Sequence, residues 1–187
     1  MTDKATARKL LRQRRAFISM IERAELSARI SEKAITLPEF ARAKTVMAYV
    51  SIRDEVITGP LLRYILDTGR TLALPRVEDG RIRGMRAHDL SALRRGAMGI
   101  PEPEGEDEIS PGDIDLFLLP GLGFDPMGGR IGYGKGYFDA YLKDAPGYKA
   151  GLCFEAQMMD RAPVEEYDVA MDAVVTETQI YRCGRTL

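Results

Sequence analysis

Leu118–Leu142, LLPGLGFDPMGGRIGYGKGYFDAYL, decides how this chain is read. The apolar residues from Ile114 to Leu119, broken only by Asp115, predict the end of a buried strand. Pro120 and Gly121 close it, because proline cannot donate to a ladder. Six glycines follow, Gly123, Gly128, Gly129, Gly132, Gly134 and Gly136, and Tyr137 to Lys143 then predicts a short helix. Strand, glycine-rich loop and helix is a layout that holds phosphates. Glycine lets backbone N–H groups turn inward toward an anion, and a helix N-terminus adds partial positive charge. Arg130 and Lys135 put full charges in the same loop. Asp125 and Asp139 flank it, and a carboxylate beside a phosphate is where Mg²⁺ sits. The loop lacks the Gly-Lys-Ser/Thr of a Walker A motif, and no acidic residue follows in the dinucleotide-binding position. Two cations and three aromatics, Tyr133, Tyr137 and Phe138, separate it from a plain Gly/Ser/Pro linker.

The chain's 187 residues suit one domain, 1–187, with a sizeable core. A net charge of -1 argues against a general polyanion binder. No apolar run approaches the ~20 residues that span a bilayer, and the charged N-terminus lacks a secretory pattern. Cys153 and Cys183 form no CxxC, so a reducing, cytoplasmic setting is expected. A single histidine, His88, excludes His-clustered metal sites and is read as a surface or strand-edge residue rather than a catalyst.

Residues 2–37 predict two helices. Leu10, Leu11, Phe17, Ile18 and Ile21 mark one apolar face, and Lys4, Arg8, Lys9, Arg12, Arg14 and Arg15 lie opposite. Ser27 or Ser31 would cap or interrupt the second helix. The basic face has several readings: a solvated helix side, an Arg-rich presequence, or a nucleic-acid contact. Thr45–Ser51 predicts the first strand, Gly59 to Gly69 a helix, and Thr71–Leu74 a second strand stopped by Pro75. That rhythm means a parallel sheet with helices on both faces, a three-layer Rossmann-like α/β fold whose ligands gather at the carboxyl ends of strands. Glu55 lies just past one such end. Asp79-Gly80 predicts a hairpin turn, and Met85–His88 a further short strand. Residues 93–111 predict a long irregular stretch. Tyr148–Phe154 and Ala173–Thr176 predict the last strands, with turn chemistry at Asp168 and Asp172.

The run Pro120-Gly121-x-Gly123-Phe124-Asp125-x-x-Gly128-x-Arg130-Ile131-Gly132-x-Gly134-Lys135-Gly136-Tyr137-Phe138-Asp139 resembles the signature of 5-formyltetrahydrofolate cyclo-ligases, also called methenyltetrahydrofolate synthetases. The resemblance extends over most of the chain. It implies that Lys4 and Arg8, one helical turn apart, reach ATP together with Arg130, Ile131, Gly132, Tyr133, Gly134, Lys135, Gly136, Tyr137 and Phe138. It implies that Val50 and Glu55 contact 5-formyltetrahydrofolate, with Tyr133, Gly134, Lys135, Gly136 and Tyr137 also on the folate side. Asp139 and Asp168 would hold Mg²⁺, and Arg130 and Lys135 would serve catalysis. Phe138 departs from the tyrosine of many relatives, and a lost neutral hydrogen bond there is worth about 0.5–1.5 kcal/mol. The implied partners are ATP and the folate, with no nucleic acid or membrane, in a monomer. Related α/β folds also serve sugar-phosphate isomerases and CoA-transferases, so an ATP-independent isomerase is the alternative reading. A non-enzymatic RNA-binding module is a further one, opposed by the net charge.

Overall fold

The computed structural model describes residues 3–96 and 99–184. Thr2 and residues 97–98 of the irregular stretch, on which sequence expectations fell, lie outside them. Its helices are α1 (Lys4–Ala16), α2 (Met20–Ile35), α3 (Pro38–Arg42), α4 (Gly59–Asp67) and α5 (Tyr137–Leu142). The first strands are β1 (Thr45–Met47), β2 (Thr71–Glu78), β3 (Arg81–Ala87), β4 (Arg94–Arg95) and β5 (Pro101–Glu102). Then come β6 (Leu116–Leu119), β7 (Gly123–Phe124), β8 (Arg130–Ile131), β9 (Tyr148–Leu152), β10 (Ala173–Val175) and β11 (Ile180–Arg182).

Seven strands form one sheet in the order β11-β10-β9-β6-β1-β2-β3. The five central strands run parallel, and β3 and β11 close the edges antiparallel. Alternate side chains of each strand face opposite sides. Val46, Leu72, Leu74, Leu116, Leu118 and Leu152 face a core built with Ile30 of α2, Phe40 of α3 and Ile65 of α4. Met47, Ala73, Phe117, Leu119 and Val174 face the other way, toward Leu142 of α5. The expected mostly parallel, three-layer α/β architecture is therefore what the chain adopts. From β1 the chain moves through α4 to β2 on one side, whereas β6 lies on the other side. The carboxyl ends of β1 and β6 thus flank a topological switch point, the place where open α/β sheets bind ligands.

Several local expectations are corrected. β2 does not stop at Pro75 but runs to Glu78, with Pro75 opposite Gly84 of β3. Pairing with β1 is already over by then, so the missing N–H interrupts no central ladder. Asp79 and Gly80, both at positive φ, make the expected hairpin turn between β2 and β3. α3, β11 and the β4–β5 ribbon were not anticipated. Ser19, rather than Ser27 or Ser31, caps α2 by accepting from Glu22 N.

The apolar face assigned to the first helix is also revised. Leu11 and Ile18 are buried, but Leu10, Phe17 and Ile21 are exposed. α1 ends at Ala16 and α2 starts after Ser19, so the helical period does not run through residues 17–21. The buried face of α1 is instead Ala7, Leu11 and Arg15, at intervals of four. Arg15 was grouped with the exposed cations, and it is 3% exposed.

Candidate active site

The glycine-rich segment leaves the carboxyl end of β6 at the switch point. It first makes a small antiparallel hairpin, β7 with β8, an element not expected between strand and helix. Asp125 organises that hairpin. Its buried carboxylate accepts from the amides of Met127 at 2.9 Å, Gly129 at 2.8 Å and Ala162 at 2.7 Å. Most of its acceptor capacity is thereby committed to backbone, so Asp125 shapes the loop. Gly128 is in the left-handed region at φ +89, and a Cβ there would lie 2.3 Å from Met171 O. That contact seats the loop against the segment leading into β10. Gly136, also left-handed, stands at the N-cap of α5, and no side chain caps the helix.

α1 lies across this loop. Its Ala7 and Leu11 pack with Leu122, Ile131 and Ala162 in a small separate cluster. Gly123 is tight under α1, since a Cβ there would meet Leu11 Cδ1 at 2.5 Å. Arg8 Nε donates to Gly132 O at 3.0 Å, and the Arg8 guanidinium rests beside Gly134, which has φ +106. One turn earlier, Lys4 Nζ donates to Asp168 Oδ2 at 2.7 Å and also pairs with Glu165. Burial works against the Lys4 ammonium, but the hydrogen bonds it donates to Asp168 and Glu165 prevail and raise its pKa. α1 therefore sets Arg8 on the loop and Lys4, one turn earlier, on the 165–168 segment.

Beneath the loop, Arg130 donates from Nη2 to Asp139 Oδ1 at 2.7 Å, with side chains 4% and 18% exposed. Arg130 Nε is buried with no hydrogen-bond partner among the described residues. The Arg130 guanidinium also lies 5.8 Å from the centre of the Phe138 ring, so this ring packs on the cation. Asp139 Oδ1 accepts a second bond from Val169 N at 3.3 Å. Asp139 is thus joined to the neighbour of Asp168, and two acids distant in sequence converge on one segment. Lys135 is exposed, its ammonium 5.7 Å from the Tyr137 ring centre.

Past the carboxyl end of β1, Val50 is half-buried and Glu55 is 5% exposed. Glu55 Oε2 accepts from Ile52 N at 2.9 Å, and Tyr133 donates its hydroxyl proton to Oε1. Burial pushes the Glu55 carboxyl up, against the hydrogen bond from Tyr133. Tyr133 is itself raised, chiefly by burial and then by the Glu55 charge. This bond brings the expected folate residue against the expected nucleotide loop. The sequence reading missed Arg15 and Asp54, which complete the cluster through Arg15 Nη2 to Asp54 Oδ1 at 2.8 Å. Arg15 was hidden among basic neighbours, and its four-residue spacing from Ala7 and Leu11 was the available signal. Glu165 was missed as well. It stands three residues before Asp168 and shares Lys4 with it.

Asp139 and Asp168 each spend one oxygen on a cation and a backbone amide. Each retains a second carboxylate oxygen that makes no hydrogen bond among the described residues. No group of three or more His, Cys, Asp or Glu gathers at a metal-binding distance among those residues. A two-carboxylate donor set fits Mg²⁺, which commonly takes one or two carboxylates with phosphate oxygens and waters.

Residues 1–177 match the model of the 5-formyltetrahydrofolate cyclo-ligase family. The 5-formyltetrahydrofolate cyclo-ligase of Mus musculus is 32% identical over 182 residues, covering 89% of this chain and 90% of that protein. The Escherichia coli K12 protein of the same name is 28% identical over 180 residues, covering 92% and 99%. Among solved structures, a 5,10-methenyltetrahydrofolate synthetase from Aquifex aeolicus superposes with a TM-score of 0.87. It is 37% identical, covering 98% of this chain and 95% of that one. A synthetase of the same kind from Mycoplasma pneumoniae gives 0.77 at 25% identity, covering 94% and 99%. With its glycine loop and Glu55 gathered past the carboxyl ends of the central strands β6 and β1, the chain belongs to the 5-formyltetrahydrofolate cyclo-ligase family and is a ligase of that kind.

Proposed function

We propose that the chain closes 5-formyltetrahydrofolate to 5,10-methenyltetrahydrofolate at the expense of ATP, with the nucleotide on the 130–138 loop and the folate against Glu55. The observation that supports this division is the hydrogen bond from Tyr133 to Glu55, which joins the loop to the turn after β1. In the reaction, the formyl oxygen attacks the γ-phosphorus and the bond to the ADP oxygen breaks. N10 then attacks the activated formyl carbon. The carbon–oxygen bond breaks, phosphate leaves with that oxygen, and the N10 proton departs with it. Alignment and charge neutralisation dominate such phosphoryl transfers.

In this reading Lys4, Arg8 and Lys135 meet the phosphates together with amides of Ile131 to Phe138. Arg130 adds its charge from beneath the loop. Val50, Glu55 and the Tyr133–Tyr137 wall hold the folate. A carboxylate accepts two hydrogen bonds side by side, which suits the amino-pyrimidine edge of a pterin. Asp139 and Asp168 would hold Mg²⁺, which when bound offsets phosphate charge. Lys4 then passes from Asp168 to phosphate. The enzyme is taken to act as a monomer, as one domain over residues 1–187. Cys153 and Cys183, buried and unpaired, support a reducing compartment such as the cytoplasm.

The test mixes protein, 5-formyltetrahydrofolate and Mg-ATP and follows the absorbance of methenyltetrahydrofolate. Product should appear only with both ATP and Mg²⁺, one ADP per methenyl group. Product without ATP would overturn the reading, and product with ATP but without Mg²⁺ would remove the Asp139–Asp168 metal assignment.

A further inference from the structure

Tyr133 belongs to the glycine loop and Glu55 to the end of β1, and a third residue sets the direction of the bond between them. Arg15 lies on the buried face of α1. Its Nη2 is anchored on Asp54 at 2.8 Å, and its Nη1 lies 3.1 Å from the Tyr133 hydroxyl. A guanidinium can only donate. The phenol oxygen therefore accepts from Arg15, and its single proton is left for Glu55 Oε1. Glu55 Oε2 is separately held by Ile52 N. The Arg15 guanidinium lies 5.8 Å from the Tyr133 ring centre, so ring and hydroxyl are both seated against it.

We propose that Arg15 is a positioning residue for the folate half-site: held by Asp54, it fixes Tyr133 as a donor to Glu55 and so joins the nucleotide loop and the folate carboxylate into one unit. The proposal rests on the reading of Glu55 as a folate contact and of Tyr133 as part of the nucleotide loop. A guanidinium serving only to tie α1 down would need Asp54 alone. Arg15 instead spends its other nitrogen on a tyrosine that is 39% exposed, in the loop that must receive the nucleotide. The geometry ties three segments that are distant in sequence: α1, the turn after β1, and the loop.

The electrostatics agree. The groups facing Glu55 are Tyr133, Arg15, Asp54 and the buried Tyr49, and Arg23 adds charge beside Asp54. Arg15 is the cation acting directly on Glu55, and it opposes the burial that pushes this carboxyl up. Without that charge Glu55 would take up a proton at higher pH. Lysine could restore the charge but not the planar fork that reaches both partners.

The experiment compares Arg15→Gln, Arg15→Lys, Tyr133→Phe, Glu55→Gln and the Arg15→Gln/Tyr133→Phe double variant in the full chain. The readouts are KM for each substrate, the pH profile of kcat/KM for the folate, and the melting temperature. Arg15→Gln should raise the folate KM about tenfold, the scale of one charged hydrogen bond, with a smaller change for ATP. It should also move the acid limb of the profile to higher pH. Arg15→Lys should return the limb but not the KM. The double variant should be no worse than Arg15→Gln, because both changes break the same relay. Folded Arg15→Gln enzyme with an unchanged folate KM and acid limb would overturn the proposal. So would equal loss for both substrates that tracks only a lower melting temperature. If Arg15→Gln does not fold, Arg15→Lys with Tyr133→Phe decides, and strictly additive effects overturn it. Glu55→Gln separates the layers: no change in folate KM sinks the site reading and this proposal together. A raised KM there with silent Arg15 variants sinks this proposal alone.

Discussion

Asp139 Oδ1 accepts both the Arg130 guanidinium at 2.7 Å and the amide of Val169 at 3.3 Å, so one oxygen ties the loop to the segment carrying Asp168. This is a load on Asp139 beyond any metal role. Arg130 is 4% exposed at its side chain, and a buried cation deprived of its partner is costly. Asp139→Asn keeps an acceptor but removes the charge. It should lower the stability of the unliganded protein by about 1.5–3 kcal/mol, the scale of a hydrogen bond to a charged group. It should also raise the Mg²⁺ concentration needed for activity. Asp168→Asn, whose partner Lys4 is nearer solvent, should shift the Mg²⁺ requirement with a smaller stability loss. Denaturation curves and Mg²⁺ titrations on both variants check this. A stability loss at Asp139 with unchanged Mg²⁺ dependence would leave that residue only its ion pair.

Lys135 is an exposed ammonium in the glycine loop, touching only the Tyr137 ring among the described residues. Nothing in the core depends on it. Lys135→Ala should therefore leave the melting temperature unchanged while turnover falls at least about 100-fold, as for loss of one group that follows transition-state charge. Full turnover with unchanged ATP affinity would remove Lys135 from the reaction.

The burial of Glu55 gives a signed prediction for stability against pH. Its carboxyl is raised in the fold above the ordinary value of 4.5, so the folded chain binds this proton more tightly than the unfolded chain. Stability from this group is fully present below the unfolded pKa. It declines as pH rises toward the folded value and is constant above it. Glu55→Gln cannot titrate. The stability of the variant relative to the original should therefore improve as pH rises through that window and then level off. Chemical denaturation at a series of pH values measures the difference. A difference that is flat across the series would place the Glu55 carboxyl in a solvent-like environment, contrary to its 5% exposure.

Gly128 supports a backbone prediction. Its φ is +89, and a Cβ would lie 2.3 Å from Met171 O, an atom of the main chain that cannot rotate away. Gly128→Ala should cost at least the 1–3 kcal/mol typical of a strained backbone conformation, roughly, plus displacement of the 168–171 segment. Gly59→Ala, where φ is ordinary and no atom lies within 4 Å, should change stability little. Melting temperatures of the pair test the contrast, and equal effects would contradict the placement of the loop.

Sequence by itself determined the parallel α/β architecture, because apolar runs at strand spacing alternate with helical ones and end at glycine or proline. It also determined the glycine loop with its two cations, since those residue types are adjacent in the chain. The Asp79-Gly80 hairpin was legible for the same reason: turn chemistry is local. Tertiary structure decided what depends on meetings between distant segments. Pro75 could stay inside β2 only because β1 had already ended beside it. Arg15 and Lys9 look alike in a basic run, yet Arg15 alone of the two falls on the Ala7–Leu11 face that α1 turns toward the loop. Asp125 and Asp139 flank the glycines symmetrically in sequence, but Asp125 is consumed by three backbone amides while Asp139 pairs with Arg130. A side chain's partners are set by which surfaces pack together, and a linear pattern records only the residues that offer themselves.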